Sequence, residues 1–246
     1  MIQNFRLLIE YDGTNYAGWQ RQKNDPTIQG EIEKALETML GQKVSVIGSG
    51  RTDAGVHALG QVANFRCDTR LSPEAFQKGL NSLLNKDIVI KGCKEAEIDF
   101  HARFNAKGKR YSYRIFNHPV PCSVGRQYCW WVRFPLDTGA MQLGSAHLIG
   151  THDFKAFEGA GSPRAHTIRT VSDAQFRQEG EYLIFDIEAD GFLRFMVRNI
   201  VGTLVSVGLS KFQPDDVKRI LLSENRANAG ITAPSRGLFL IKVRYE

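Results

Sequence analysis

No apolar run in this 246-residue chain approaches the ~20 residues that a bilayer-spanning helix needs. The start, Met1-Ile2-Gln3-Asn4-Phe5-Arg6, lacks the basic residues and apolar stretch of a secretory signal peptide. A cytoplasmic protein without membrane association is therefore expected. Cysteine is scarce: Cys67, Cys93, Cys122 and Cys129 form no Cys-x-x-Cys pair and show no zinc spacing. Reduced, structural thiols are expected, and no metal site. The Walker pattern is missing too, because no Lys-Ser or Lys-Thr follows a glycine-rich loop. The chain has no internal repeat and no low-complexity linker.

What is present is a folded chain with uneven charge. Hydrophobic residues make up 42% and charged residues 24%, the balance of a globular protein. The length allows one large domain or two modest ones. The net charge of +6 is not shared equally: residues 1–100 hold 12 Lys+Arg against 13 Asp+Glu, and residues 101–246 hold 20 against 13. From Arg103 to Arg133 there are seven basic residues and no acid. A second acid-free stretch, Gly159 to Ser172, carries Arg164, His166 and Arg169. The first stretch is interleaved with Tyr111, Tyr113, Tyr128, Trp130 and Trp131. Cations that meet phosphates beside rings that stack on bases suit a nucleic-acid partner.

Periodicity divides the chain into two α+β halves, residues 1–104 and 105–246. In the first, Phe5 to Tyr11 is a near-continuous apolar run and reads as a buried strand. Thr27 to Leu40 is an amphipathic helix with Ile28, Ile32, Ala35, Leu36 and Met39 at helical spacing, introduced by cap chemistry at Asp25-Pro26-Thr27. Val44 to Ile47 and Gln61 to Phe65 read as strands. Ser72 caps a helix opened by Pro73, with Phe76, Leu80, Leu83 and Leu84 on one face. Ile88 to Lys91 closes the half as a strand. In the second half, Lys109 to Phe116 alternates, with Tyr111, Tyr113 and Ile115 on one face and Arg110, Ser112 and Arg114 on the other. Asp137 to Ile149 reads as helix. Thr167 to Gln178 and Tyr182 to Ala189 form a hairpin about Glu179-Gly180. Phe192 to Leu209 is a strongly apolar helix, Pro214 to Leu222 a short amphipathic one, and Gly237 to Tyr245 a last strand. Hairpins among alternating helices imply a largely antiparallel α+β sheet.

One stretch concentrates the chemistry: Gly48-Ser49-Gly50-Arg51-Thr52-Asp53-Ala54-Gly55-Val56-His57. A single carboxylate, Asp53, lies between an arginine and two glycines that permit unusual backbone angles and close ligand approach. Two readings are open on pattern alone. The loop is an ordinary turn in which Asp53 bonds its own backbone, or it presents Asp53 as a reactive group. His57 after the tight turn reads as a hydrogen-bonded structural residue, since no partners for a histidine triad are visible.

Taken with four others, that stretch resembles the tRNA pseudouridine synthase A family. The segments are Tyr11 to Gln22 (YDGTNYAGWQRQ), Gly50 to Ala58 (GRTDAGVHA), Lys109 to Ile115 (KRYSYRI), Gly191 to Gly202 (GFLRFMVRNIVG) and Ala233 to Leu238 (APSRGL), in the family's order and across nearly the whole chain. The resemblance implies isomerisation of uridine to pseudouridine in the anticodon stem-loop of tRNA, at positions 38, 39 and 40. It implies no cofactor and no metal, and a homodimer. It also implies two RRM-like, ferredoxin-like halves around a long, mostly antiparallel mixed sheet, with helices on one face and a central catalytic cleft.

The resemblance assigns roles as well. Asp53 matches the family's catalytic aspartate, acting as nucleophile or base. Arg198 matches the arginine that pairs with it; an arginine in an apolar helix is costly without an anionic partner. Tyr111 matches the active-site tyrosine, and Arg51 an arginine that helps hold the target nucleotide out of its stack. Trp19, Gln20 and Arg21 are expected to shape the site or contact RNA, and Trp19 reads equally as a core residue. Lys107, Lys109, Arg110, Arg164 and Arg169 are phosphate-contact candidates. Two rivals remain: a non-catalytic RNA-binding module, and a phosphodiesterase using Asp53 and His57, which would need a metal or a second acid or base.

Overall fold

The structure is a computed structural model that describes residues 1–159, 161 and 166–246. The chain divides into two compact units, Met1–Lys107 with Phe239–Glu246, and Gly108–Leu238. Both are α+β.

The first unit is built on β1 (Ile2–Tyr11), α1 (Ile28–Leu40), β2 (Ile47–Gly48), β3 (His57–Asp68), α2 (Pro73–Leu83) and β4 (Ile88–Ala96). β1 runs antiparallel to both β3 and β4, from Ile2 opposite Asp68 to Tyr11 opposite Ala58 on one side. The period of two puts Phe5, Leu7, Ile9 and Tyr11 on a covered face and leaves Leu8 exposed on the other. Phe5 and Phe65 meet Phe76 of α2 at ring-centroid distances of 4.7 and 5.1 Å, so this helix closes the covered face. Thr27 caps α1 and Ser72 caps α2, each accepting from a backbone N–H of the first turn.

The expected strand at Val44 to Ile47 is shorter: only Ile47–Gly48 pairs, with β3. The reason lies in α1. The Val46 amide donates to Glu33 Oε1 and its carbonyl accepts from Gln29 Nε2, both at 3.0 Å. Backbone groups satisfied by helix side chains need no strand partner. Conversely, β3 starts at His57, so the loop before it is tighter than expected.

The second unit contains β5 (Gly108–Asn117), β6 (Trp130–Val132), α3 (Thr138–Ala146), β7 (Gly150–Asp153), β8 (Ile168–Glu179), β9 (Tyr182–Ala189), α4 (Met196–Gly208) and α5 (Pro214–Ser223). β9 lies between β5 and β8, antiparallel to both; β7 adds to β8 and β6 runs parallel to β5. The hairpin turn holds Gly180 at φ +59°. α4 begins four residues later than its apolar run suggests. Phe195 sits in the left-handed region at φ +61°, which a helix cannot continue through, so Phe192 to Phe195 form the entry to the helix. Nearly every side chain of α4 is buried, as its all-round hydrophobicity requires.

The last strand, β10 (Leu238–Arg244), pairs parallel to β3, with Phe239 opposite His57. The sequence groups this strand with the residues before it; from Phe239 on it belongs to the first compact unit. Gly60 makes the pairing possible, since a Cβ there would lie 2.3 Å from the Ile241 carbonyl oxygen. Among the described residues no helix is long and apolar enough to cross a membrane, and no group of three or more His, Cys, Asp or Glu could hold a metal ion. All four cysteines are free thiols.

Candidate active site

Asp53 sits on irregular backbone, and the fold fixes that backbone from several sides. Below the loop, Tyr11 Oη and Thr52 Oγ1 are 2.8 Å apart in the core of the first unit. Ser49 Oγ donates to Gln61 Oε1 at 2.6 Å, and Gln61 Nε2 donates to the Gly50 carbonyl at 3.1 Å. The Val56 amide closes the turn onto the Asp53 carbonyl at 3.1 Å, with Gly55 at φ +74°. The segment 13–19 packs directly against this turn. The Trp19 amide donates to the Thr52 carbonyl at 3.1 Å and the Gly55 amide to the Tyr16 carbonyl at 3.3 Å. Gly18, at φ +99°, passes so close that a Cβ would lie 2.5 Å from the Thr52 oxygen. Two of the matching segments, Tyr11 to Gln22 and Gly50 to Ala58, are thus one packed structure. The loop is a turn that carries a half-buried carboxylate.

Burial of Tyr11 raises its hydroxyl pKa to about 12, opposed by its bonds to Thr52 and Gln61. The group is therefore a neutral hydrogen-bonding post beneath the loop. His57 is equally committed. It is 1% exposed, stacks on Phe239 at 4.7 Å, and places Nδ1 3.1 Å from the Gly13 amide and 3.0 Å from Asp12 Oδ1. Bare Nδ1 accepts from Gly13 and protonated Nδ1 donates to Asp12; in either state the ring is used inside the fold.

Arg51 is exposed and joined to the scaffold by a ladder of side chains. Its Nε donates to Gln20 Oε1 at 3.2 Å, Gln20 Nε2 to Gln29 Oε1 at 2.9 Å, and Gln29 Nε2 to Glu33 Oε1 at 3.0 Å. Arg21 Nη1 lies 3.2 Å from the other oxygen of Glu33. Gln29 and Glu33 were not singled out from the sequence. The readable signal was Glu33 beside Ile32 on the apolar face of α1, since a buried carboxylate requires partners. Trp19 is core: at 2% exposure, with its ring against Gly48, it supports the loop from within.

In the second unit Tyr111 and Tyr113 share one face of β5 but differ in depth. Tyr111 keeps 8% exposure and meets Phe192 edge-to-face at 5.0 Å. Tyr113 is fully enclosed and its hydroxyl donates to the Pro234 carbonyl at 2.7 Å. Burial pushes its pKa far above the ordinary range against the pull of Arg198 and Arg236, so it stays neutral.

Arg198 stands in the first turn of α4, half-buried. Its Nε donates to the Ala233 carbonyl at 2.8 Å, and its own carbonyl accepts from the Ala233 amide at 3.1 Å. The guanidinium lies 4.9 Å from the centroid of Phe195. Asn199, fully buried, holds the neighbouring chain: Thr232 Oγ1 and Arg226 Nη2 donate to its Oδ1 at 2.6 and 3.0 Å. Gly202 admits the same chain, since a Cβ would lie 1.7 Å from the Ile231 oxygen. The remaining three matching segments, around Tyr111, Arg198 and Pro234, therefore converge within this unit.

The phosphate-contact candidates divide. Lys107 is exposed, and Lys109 and Arg169 are half-buried. Arg110 pairs with Asp186, 3.3 Å away, and Arg177 Nε approaches the same carboxylate at 3.0 Å. Asp186 is 4% exposed, and Arg110 and Arg177 together serve as its counterions. Arg164 lies outside the described residues.

Comparison with known proteins shows the family to which the chain belongs. A family model described as tRNA pseudouridine synthase matches residues 7–105 and 145–246. The chain is 48% identical over 244 residues to the tRNA pseudouridine synthase A of Thermoanaerobacter sp. (strain X514), covering 99% of this chain and 100% of that one. It is 47% identical to the protein of the same name from Acetivibrio thermocellus, with the same coverage. The relative of that name from Moorella thermoacetica is 46% identical, with 98% of each chain covered. The chain belongs to the tRNA pseudouridine synthase family, isomerases that convert uridine in tRNA to pseudouridine.

Proposed function

We propose that the chain isomerises uridines at positions 38, 39 and 40 of the tRNA anticodon stem-loop, with Asp53 as the nucleophile or base. The observation that carries this reading is the Asp53 loop: a half-buried carboxylate on a turn tied down by Tyr11, Thr52, Gln61 and Trp19. Catalytic groups gain from fixed placement, because small displacements cost large factors in rate.

The reaction breaks the bond between ribose C1′ and uracil N1, turns the base and joins C1′ to C5. The C5 proton leaves and N1 ends protonated, so no oxidant or reductant is consumed. Covalent participation by a carboxylate would divide one hard step into easier ones. As a base it would instead remove a proton from the sugar. Either role needs the ionised form, which an opposite charge favours; the family resemblance gives that part to Arg198. Tyr111, with its ring edge held by Phe192, stacks on the uracil and takes part in proton transfer from C5. Arg51, steadied through Gln20, helps keep the nucleotide extruded. The protein acts in the cytoplasm as a homodimer, the commonest symmetric assembly; a monomeric mass in solution would remove that part.

A nucleotide-resolution pseudouridine map of unmodified tRNA treated with the protein tests the substrate assignment. The expected result is conversion confined to the anticodon stem-loop. Conversion elsewhere in the tRNA would overturn it.

A further inference from the structure

The turn 101–105 presents an aromatic ring to solvent and is built to hold it there. Phe104 is 74% exposed. Below it the backbone is pinned: the His101 amide donates to Asn105 Oδ1 at 2.6 Å and the Asn105 amide returns to the His101 carbonyl at 3.0 Å. Ala102, fully buried, donates to Asn64 Oδ1 at 2.9 Å and accepts from Tyr245 Oη at 2.7 Å. The His101 ring stacks on Phe104 at 4.2 Å with 30° between planes, and its Nδ1 accepts from the Arg103 and Phe104 amides at 3.2 and 3.3 Å. Arg103 holds its guanidinium 5.6 Å from the Phe104 centroid. Among the described residues only two aromatic rings are this exposed, Phe104 and Phe134 at 64%, and each directly follows an arginine that lies over it. The two pairs bracket the acid-free stretch.

We propose that Phe104, backed by His101 and flanked by Arg103, is a stacking platform for an unpaired nucleotide of the tRNA other than the one that reacts. Three features choose this occupant. A single exposed ring between the exposed Arg103 and Asn105 offers about the area of one base. The chain from Arg103 to Arg133 carries seven basic residues and no acid; the acids Glu95, Glu97 and Asp99 lie on the other side of the turn, in a pocket they share with Asn105. An aromatic face beside cations is the usual receptor for single-stranded nucleotides. The proposal rests on tRNA as substrate and not on the role of Asp53.

The test is equilibrium binding of unmodified tRNA to the full-length protein. Phe104→Ala and Phe104→Leu should each weaken binding about tenfold or more, since leucine keeps apolar area but cannot stack. Phe104→Trp should stay within about twofold of the parent, and its added fluorescence should be quenched on tRNA addition. Arg103→Gln should lower the salt slope by about one, and Phe104→Ala should leave the slope unchanged. Parental affinity in Phe104→Leu overturns the proposal. So does a change of oligomeric mass in Phe104→Ala, which would assign the ring to a protein interface. Normal turnover by Asp53→Asn would remove the catalytic reading and leave this one standing.

Discussion

The first unit carries Asp53 on a loop; the second carries Tyr111 on a ten-residue strand and Arg198 on a thirteen-residue helix. A strand or helix is positioned by its own repeating backbone bonds, with partners given by register. The loop has no such ladder, so its geometry is supplied by residues remote in sequence: Tyr11 lies 41 positions from Thr52 and 50 from Gln61. The first unit thus fixes its candidate catalytic group by side chains and close backbone passage, and the second by regular elements. Changes to buried polar groups and tight glycines should accordingly cost the first unit more function than matched changes cost the second.

The largest contrast is between two glycines with positive φ. Gly18→Ala would strain φ +99° and press a methyl 2.5 Å from the Thr52 oxygen, whereas at Gly125, φ +77°, the nearest atom is 3.8 Å away. Urea unfolding should show about 3 kcal/mol or more lost in Gly18→Ala and about 1 kcal/mol in Gly125→Ala. Equal losses would break the comparison. Next is alkaline stability. The Tyr11 pKa is raised from 10.0 to about 12 in the folded state by burial. Its contribution is complete below pH 10, and is lost as pH climbs to 12, because only the unfolded chain gives up the proton. The loss is roughly 2–3 kcal/mol, and Tyr11→Phe should flatten that part of the stability–pH curve.

A smaller effect comes from Thr52→Val, which removes a hydroxyl 2.8 Å from Tyr11 Oη. It should cost about 1–2 kcal/mol and lower turnover about tenfold through the loop. The matched change in the second unit, Phe192→Leu beside Tyr111, should cost about 1 kcal/mol and change turnover less. Steady-state kinetics beside thermal melts separates the two. The smallest stability effect belongs to the surface. Lys107→Glu with Lys109→Glu should stay within about 0.5 kcal/mol of the parent but reduce the salt slope of tRNA binding by about two or more; an unchanged slope would place the RNA surface elsewhere.

The same contrast governs what could be read from the chain. Alternation over Lys109 to Phe116 placed Tyr111 and Tyr113 on one face, and Ser72-Pro73 marked the start of α2, because regular elements write their period and caps into local sequence. The start of α4 misled, since the residues before Met196 are as apolar as the helix and nothing local announces the left-handed Phe195. Val44 to Val46 looked like a strand because apolar character does not tell which partner satisfies the backbone; Glu33 and Gln29 do so. The candidate residues were legible through five ordered segments. Their surroundings were less so. That Arg110 is occupied depends on Asp186, 76 residues away, though a lone acid within the apolar run Leu183 to Ile187 is itself a sign of a buried pair.

The most direct measurement is release of tritium from uracil C5 of labelled tRNA by Asp53→Asn, beside its tRNA affinity. The substitution keeps the size of the side chain and removes its charge. The account predicts that release falls by at least about a thousandfold while affinity stays within a few-fold of the parent. Tritium release at the parental rate would contradict it.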